Sequence, residues 1–497
     1  MPRVISITDG TINLKVMIKK APNQNEWKNL WISGHLNEIW GGTITPIEID
    51  DGSWDEKKNL AFATNDLPDA FMTAGALEFG DLINYGSQGL LIPLNGLIDD
   101  HAPNIKKRLA DDPNLKKSVT APDGNIYALP SLTYDKRSNV VGREKPWINS
   151  EWLNNLQLDM PTTLDEFYTV LKAFKEQDPN GNGIADEIPV SGSNDNPFKM
   201  MVLSALGFVD TTYSTDESGE QVIFVPAQPE YKEYLTFMRM LYKEGLIDSQ
   251  YFSQNFQAYR AKTEKQLVGF FFDDAAFVAV GADNYKHYEA LLPLTSSLNT
   301  KQVWPHRNNP SATPNNMAIT SVNKSPEATI RLFDYLYSDE GGFLTRMGPD
   351  VGVVQSDGGV KRFDDGTWQL TSPEGQSTVD YRFNKVTNLS LPFVMGGPDM
   401  PLEKQSEEQA NLTENLLKLV ELGKPVFPSL FFSPEEQQSM SQINTDLMSY
   451  VTQMEAKFIV GDNELSEWDE YLASLEKIGL KKTLELTQTA YERWKNS

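Results

Sequence analysis

Acidic and amide side chains alternate with glycines between Asp178 and Glu187, a stretch that reads DPNGNGIADE. Side chains that carry oxygen occupy loop positions 1, 3, 5 and 9, as Asp178, Asn180, Asn182 and Asp186. Such alternation wraps oxygen ligands around one hard cation, and calcium accepts a nearly all-protein cage more readily than magnesium does. Gly183 at position 6 permits a sharp turn, and Ile184 at position 7 would offer its main-chain carbonyl. The spacing predicts a calcium site.

The loop departs from an EF-hand at position 12, which is Pro189. The bidentate carboxylate must therefore come from elsewhere, and Glu187 at position 10 is the expected donor. A helix precedes the loop, but residues 187–190 have an extended pattern, so there is no second helix for an ion to move. We therefore expect a structural site and not a sensor. The alternative is an acidic Asn-Gly turn that binds nothing.

Length and charge narrow the function classes. A chain of 497 residues exceeds what one hydrophobic core supports, so two or more lobes are expected. The 44 basic and 69 acidic residues give a net charge of -25, which repels polyphosphates and argues against nucleic acid as a partner. A neutral small ligand is modestly favoured, because screening lets a few arginines reverse the sign locally.

The absence of cysteine excludes disulfides, thiolate metal sites and cysteine nucleophiles, and it suits an exported protein. The first ten residues, MPRVISITDG, lack the apolar core of a signal peptide. Two interpretations follow: a cytoplasmic protein, or an exported one whose signal is not part of this sequence. We favour the second.

The first 130 residues alternate strand and helix patterns, with strands at residues 12–18, 44–49 and 70–72 and helices at 26–40 and 54–63. This βαβαβ order predicts a parallel sheet with helices on its faces, and ligands bind beyond the carboxyl ends of such strands. Thr163 and Glu166 form a predicted capping box, and Ser325 and Ser433 precede helices that begin with proline. After Ser433 the pattern is almost wholly helical.

One run is dense in family-specific residues: NSEWLNNLQLDMPTTLDEFYTVLKAFKEQDPNGNGIADEIPV, from Asn149 to Val190. It resembles the hallmark of family 1 extracellular solute-binding proteins, of the lipoprotein and alginate-oligosaccharide-binding type. Further stretches agree in order along most of the chain: LPDAF at Leu67, PDGNIYALP at Pro122, SPEATIRLFDYLYSDEG at Ser325 and FIVGDNELSEWDEYLASLEKIGL at Phe458.

The resemblance implies an α/β periplasmic-binding-protein fold. Each of two lobes would have a central sheet flanked by helices, with a hinge between the lobes and a helical C-terminal region. The first lobe is expected at 1–138 plus about 305–385, and the second at 139–304 plus about 386–497. The resemblance also implies a monomer outside the cell, frequently anchored by lipid, that delivers an oligosaccharide to an ABC permease. The family's calcium ligands fall on Asp178, Asn180, Asn182, Ile184 through its carbonyl, Asp186 and Glu187.

Ligand contacts are predicted at loops and strand ends, because sugar pockets combine flat aromatics with planar polar groups. The candidates are Trp54, Asp69, Tyr134, Arg137, Phe272 and Trp304. Asp69 is placed at the carboxyl end of a parallel strand. Where many relatives have tryptophan after the GFFFDD-like strand, this chain has Ala275, so Phe272 or Phe277 would have to substitute.

The open alternative is a carbohydrate-active enzyme, either a glycoside hydrolase or a polysaccharide lyase, whose carboxylate pair is set by tertiary distance and leaves no local motif. Other enzyme classes find no support: the sequence has no GxSxG, HExxH, Walker A or complete GxGxxG motif. Asp273 and Asp274 are adjacent, but neighbouring strand residues point to opposite faces, so we interpret them as a strand end.

Overall fold

The computed structural model describes residues 6–496 apart from 11, 22–23, 135–144, 193–196, 252, 255, 282, 307–310, 356, 397–399 and 401. The strands are β1 Asn13–Lys20, β2 Thr43–Asp50, β3 Ala70–Met72, β4 Leu129–Thr133, β5 Lys145–Asn149, β6 Ile188–Val190, β7 Tyr213–Thr215, β8 Val222–Phe224, β9 Val268–Asp273, β10 Tyr288–Ala290, β11 Trp304–His306, β12 Ser311–Ile319, β13 Gly359–Arg362, β14 Trp368–Thr371, β15 Val394–Met395 and β16 Gly423–Pro425.

The helices are α1 Trp31–Trp40, α2 Trp54–Thr64, α3 Phe79–Ser87, α4 Asn95–His101, α5 Pro103–Asp111, α6 Pro113–Val119, α7 Ser150–Asn155, α8 Leu164–Glu176, α9 Pro197–Ala205, α10 Pro229–Lys243, α11 Phe256–Thr263, α12 Ala276–Val280, α13 Pro326–Tyr337, α14 Asp339–Met347, α15 Thr378–Tyr381, α16 Glu407–Glu421, α17 Pro434–Val460, α18 Trp468–Ile478 and α19 Leu480–Asn496.

The first lobe is built on a six-stranded sheet in the order β15-β4-β12-β3-β1-β2. Strands β1, β2 and β3 are parallel, which confirms the βαβαβ prediction, and β12 runs antiparallel to both β3 and β4. Apolar residues on both faces of this sheet are buried under the helices, as expected for parallel strands.

The second lobe is built on a four-stranded sheet in the order β10-β5-β9-β6. The GFFFDD-like strand is β9, and all of its residues are buried. Helix α8 packs on this sheet through Phe167, Leu171 and Phe174. The capping box predicted at its start is present, because Thr163 Oγ1 accepts from Glu166 N and Glu166 accepts from Thr163 N.

The chain crosses between the two sheets after β4, between β10 and β12, and after β15. Strand β11, in the second crossing, pairs in parallel with β16, which follows α16, and we call these two strands the crossing pair. The boundaries expected near 138 and 305 stay predictions. The boundary expected near 385 does not fit, because β15 at 394–395 pairs with β4 inside the first sheet. The first lobe therefore extends beyond the expected limit of 385.

The C-terminal helices pack mainly on the second lobe, where Leu447, Val451 and Leu475 join its core. Ser433 caps α17 as predicted. Ser325 makes no side-chain cap, because the turn before α13 is instead held by Asn323 Oδ1, which accepts from Ser325 N over 2.7 Å. Phe431, just before α17, packs against Phe79 of the first lobe with ring centroids 4.7 Å apart, so the C-terminal region touches both lobes.

Candidate functional site

The carboxyl ends of β1 and β3, the start of β12 and the end of β4 lie along one edge of the six-stranded sheet, which we call the first-lobe edge. Ligands bind beyond this edge in open α/β sheets. Here Asn316 is fully buried and donates from Nδ2 to Ser131 Oγ over 2.7 Å, while its Oδ1 accepts from Gly75 N over 2.8 Å. The side chain of Asn316 thus ties β12, β4 and the turn after β3 into one rigid border.

Residues 382–393, which we call the returning segment, run along the first-lobe edge. Asn388 donates from Nδ2 to Lys19 O at the end of β1 over 2.7 Å. Ser390 O accepts from Ala74 N after β3, and Phe393 O accepts from Leu132 N in β4. The segment therefore passes β1, β3 and β4 in turn, and it covers part of the first-lobe edge.

The facing border in the second lobe, the second-lobe edge, lies at the carboxyl ends of β6 and β9. After β6, Ser191 Oγ donates to Asp248 Oδ2 over 2.7 Å, and Lys262 Nζ lies 2.6 Å from the same oxygen. At the last residue of β9, the two oxygens of buried Asp273 lie 3.1 Å and 3.2 Å from Arg260 Nη2 of α11. Each of these two carboxylates therefore already forms an ion pair with a basic side chain.

Burial and ion pairing shift the pKa values of these two carboxyl groups in opposite directions. Burial alone would raise the pKa of Asp248, but the hydrogen bonds from Lys262 and Ser191 outweigh it and the pKa is lowered. For Asp273, burial raises the pKa although Arg260 opposes the change. The ionised form of Asp248 is thus better stabilised than the ionised form of Asp273.

Three predicted ligand residues have buried rings. Trp54 is buried and donates from Nε1 to Ala76 O over 3.0 Å, with Lys19 Nζ 5.4 Å from its ring centroid. Phe272 packs among Phe198 and Phe270 in the second core. Trp304 has no exposed surface and lies in the same core at the start of the crossing pair. The Trp54 ring therefore packs against the Lys19 ammonium group at the first-lobe edge. The rings of Phe272 and Trp304 are covered by the second core, so neither is accessible to a ligand in this structure.

The prediction that Asp69 lies at the carboxyl end of a strand is wrong. Asp69 precedes β3, and its Oδ2 accepts from Lys15 N over 2.8 Å, so it closes the opposite end of the sheet from the cleft. Tyr134 follows β4 at the first-lobe edge, half-buried, with the Arg108 guanidinium 5.2 Å from its ring centroid. Arg137 lies outside the described residues.

Sequence reasoning missed Asn316, Asn388 and Arg346 at the first-lobe edge. Asn316 had a usable signal, since NN directly before the apolar run MAIT marks polar groups at the start of a strand. Asn388 and Arg346 had no such signal, because no local sequence pattern indicates that residues 346 and 388 lie near the end of β1.

The predicted calcium loop has the turn that its glycines suggest, with Gly181 at φ 68° and Gly183 at φ 75°. Asp178 Oδ2 accepts from Gly183 N over 3.0 Å, and Asn182 Oδ1 accepts from Ile184 N over 2.6 Å. The side chain of Ile184 is 60% exposed, which agrees with a role for its main chain only. The oxygens thus gather on the inner side of one tight loop.

Glu187 supplies a test of whether a cation fits this loop. Its Oε1 is buried with no hydrogen-bond partner. Burial raises the pKa of Glu187, and the carboxylates of Asp178 and Asp186 raise it further. A cation would relieve both effects. Within the described residues, no three acidic, histidine or cysteine side chains are placed to share a metal ion, so an ion here would also need the asparagine oxygens and the Ile184 carbonyl.

No helix in the described part of the chain is both long enough and apolar enough to cross a membrane.

Over residues 40–343 the chain matches the family described as "Bacterial extracellular solute-binding protein". It is 31% identical over 456 residues to FusA, a fructooligosaccharide ABC transporter substrate-binding protein of Streptococcus pneumoniae serotype 4, covering 88% of this chain and 82% of FusA.

Two solved structures are similar along the whole chain. An S. pneumoniae FusA EF-hand mutant in complex with fructo-nystose has a TM-score of 0.80 at 28% identity, covering 98% of this chain and 100% of that one. The alginate-binding protein AlgQ2, solved without calcium ion, has a TM-score of 0.74 at 25% identity, covering 98% of this chain and 99% of that one.

Proposed function

Because the chain belongs to the bacterial extracellular solute-binding protein family, we propose that it captures an oligosaccharide between its two lobes and delivers it to the permease of an ABC importer. The observation that carries the proposal is the pair of polar sheet edges, one in each lobe, joined by crossing strands. The relatives named FusA and AlgQ2 bind fructooligosaccharide and alginate respectively, which supports a sugar as the ligand.

Capture by closure follows from the crossing strands. The β11–β16 pair is only three residues long, and hydrogen bonds from Trp304 N to Leu422 O and from Val426 N to His306 O extend it by one step at each end. A short paired ribbon bends more easily than the two packed cores that it joins. A ligand that contacts both edges favours the closed arrangement, and that preference is the signal that a permease can recognise.

The carbohydrate-active enzyme remains the alternative function. A glycoside hydrolase needs two carboxyl groups free to act on either side of a sugar bond. At the second-lobe edge, Asp248 and Asp273 instead hold Lys262 and Arg260. This pairing favours binding without catalysis.

We infer that the loop at 178–187 holds a structural calcium ion through Asp178, Asn180, Asn182, the Ile184 carbonyl, Asp186 and Glu187. The orphaned Glu187 Oε1 is the strongest support. The loop joins the end of α8 to the start of β6, which is the end opposite to the carboxyl end of β6 where the ligand is expected. An ion here would fix the helix to the sheet and would not touch the ligand.

The partner and location are proposed on the same family basis: a permease as partner, and an extracellular monomer anchored to the membrane by lipid. Gel filtration tests the monomer, because a dimer would elute at twice the mass of 55.9 kDa.

Calorimetric titration tests the function, with nystose, a mannuronate trimer, trigalacturonate and maltotriose as ligands and a tripeptide as the non-sugar control. Binding of at least one sugar, with no product after prolonged incubation, supports the proposal. Accumulated product would establish the enzyme alternative. Binding of the peptide alone would replace the sugar with another solute class.

A further inference from the structure

The returning segment brings one arginine to the first-lobe edge. Arg346, at the end of α14, donates from Nη1 to Leu389 O over 3.2 Å, and its guanidinium carbon lies 4.6 Å from the Phe393 ring centroid. Leu389 adjoins Asn388, which is bonded to the end of β1, and Phe393 is bonded to β4. The Arg346 guanidinium is therefore fixed against the returning segment, beside the first-lobe edge.

A second arginine lies directly behind the first. Arg382 donates from Nη1 to Arg346 O over 3.3 Å and from Nε to Thr378 O over 3.4 Å. Among the described residues, neither guanidinium has a carboxylate within ion-pair distance. Within the described residues, the hydrogen bonds of the two guanidiniums go to main-chain carbonyls and, for Arg382, also to the sulfur of Met347.

The second-lobe edge provides the contrast. There, Arg260 pairs with Asp273 and Lys262 with Asp248. At the first-lobe edge, Lys19 has Asp51 at 3.4 Å, whereas Arg346 and Arg382 have no carboxylate at ion-pair distance among the described residues, and the charge of Glu403 acts on Arg382 only from further away. In a protein of net charge -25, these two neighbouring guanidiniums form a local positive site.

The partly buried positive charges of Arg346 and Arg382 favour the binding of an anion. Burial and the nearby charge of Arg382 lower the pKa of Arg346 to about 10, and burial lowers the pKa of Arg382. In the described part of the chain one N–H group of Arg346 donates, to Leu389 O, and neither its Nε nor its Nη2 is a buried atom without a partner. A planar guanidinium fork matches a carboxylate in bidentate geometry.

We propose that Arg346, supported by Arg382, binds the carboxylate of a uronic acid, so that the captured oligosaccharide is acidic. This inference rests on the proposed function, because it specifies the charge of the sugar held in the same cleft. The guanidinium of Arg346 is the contact, and Arg382 is a positioning residue that holds the Arg346 main chain.

The first test needs no variant. Trigalacturonate and its carboxyl-reduced form have the same linkage and size and differ in charge, and both are titrated into the wild-type protein beside nystose. We expect trigalacturonate to bind at least tenfold more tightly than the reduced trimer, and the difference to shrink as salt is raised. Equal or tighter binding of the reduced trimer or of nystose would overturn the inference and leave the proposed function intact. No binding of any oligosaccharide would overturn both.

The second test uses Arg346→Gln, with Arg346→Lys as the conservative variant and Arg362→Gln as the matched control. Arg362 belongs to the same lobe and pairs with Asp350 on the surface, so its loss removes the same charge away from the proposed contact. Arg346→Gln should abolish the preference for trigalacturonate, Arg346→Lys should keep part of it, and Arg362→Gln should keep all of it. Thermal melting of each variant checks folding. A folded Arg346→Gln protein that keeps the full preference would overturn the inference.

Discussion

The side-chain amide of Asn388 donates to the main-chain carbonyl of Lys19 over 2.7 Å, joining residues that lie 369 positions apart in the sequence. Asn388 Oδ1 also accepts from Ser390 N over 2.8 Å. One buried amide therefore holds the returning segment against the end of β1, and the cleft-facing surface of the first lobe depends on chain regions that are remote in sequence.

Replacing Asn388 with alanine should destabilise the protein by about 1–3 kcal/mol, because the partly buried Lys19 carbonyl and Ser390 amide lose their partner. Denaturant unfolding measures the loss. Asn384→Ala is the matched control in the same segment, since the Asn384 side chain donates to Asp380 O at an exposed position. Equal losses in the two variants would contradict the special role of Asn388.

Chelation should lower the melting temperature of the wild-type protein, and Asp178→Ala should remove that chelator sensitivity. The reason is that Asp178 both begins the oxygen set and accepts from Gly183 N, which shapes the loop. Scanning fluorimetry with and without EDTA measures both effects.

Asp216→Ala is the control for the calcium experiment. Asp216 organises another turn of the second lobe by accepting from Glu220 N and Gln221 N, so its loss removes an acidic turn residue outside the loop. This variant should stay sensitive to chelator. A wild-type melting curve that ignores both EDTA and added calcium would count against the ion.

The pair Glu436 and Arg493 predicts a pH dependence. Arg493 reaches both Glu436 oxygens, at 2.8 Å and 2.6 Å, and its hydrogen bonds lower the pKa of Glu436 below 4.5. A carboxyl whose pKa is lowered on folding stabilises the protein above its unfolded pKa, and this stabilisation is lost as the pH falls through the folded pKa.

Glu436→Gln should therefore cost on the order of 1 kcal/mol near neutrality, after allowance for solvent screening, and much less well below pH 4. Urea unfolding of both proteins across this range checks the sign. A difference that grows as the pH falls would contradict the assignment.

Gly423→Ala should disturb the crossing strands. A Cβ on Gly423 would lie 2.7 to 2.8 Å from the ring and Cβ of His306 on the paired strand, closer than atoms can approach. We expect a loss of about 1–3 kcal/mol in stability and weaker sugar binding, because the strands that bend during closure are forced apart. Gly34→Ala in α1 is the control, since nothing lies within 4 Å of its new Cβ. If Gly423→Ala bound the sugar with unchanged affinity, the β11–β16 pair would have no role in closure of the lobes.

Features that are encoded locally could be predicted from the sequence. The alternation that gives β1 to β3, the capping box at Thr163 and the proline-started helix α17 each depend on a few adjacent residues. The tight loop at 178–187 belongs to the same class, since its glycines and oxygens are consecutive.

Features that depend on distant pairing could not be predicted. Strand β15 has two residues and exists only because β4 offers an edge, so the boundary near 385 was placed too early. Asp69 precedes residues 70–72 in the sequence, so it lies at the amino end of β3 whatever that strand pairs with, and the prediction of a carboxyl-end position overlooked this order. Trp304 is an aromatic beside a predicted crossing, but the second core covers it completely.

Equilibrium dialysis tests the central claim, capture without turnover, most directly. The protein is placed on one side of the membrane with trigalacturonate or nystose on both sides, and the sugars in each chamber are then resolved by chromatography. We expect one of these oligosaccharides to accumulate intact with the protein at up to one molecule per chain. Shortened or unsaturated sugars in either chamber, or equal concentrations of every oligosaccharide on both sides, would contradict capture without turnover.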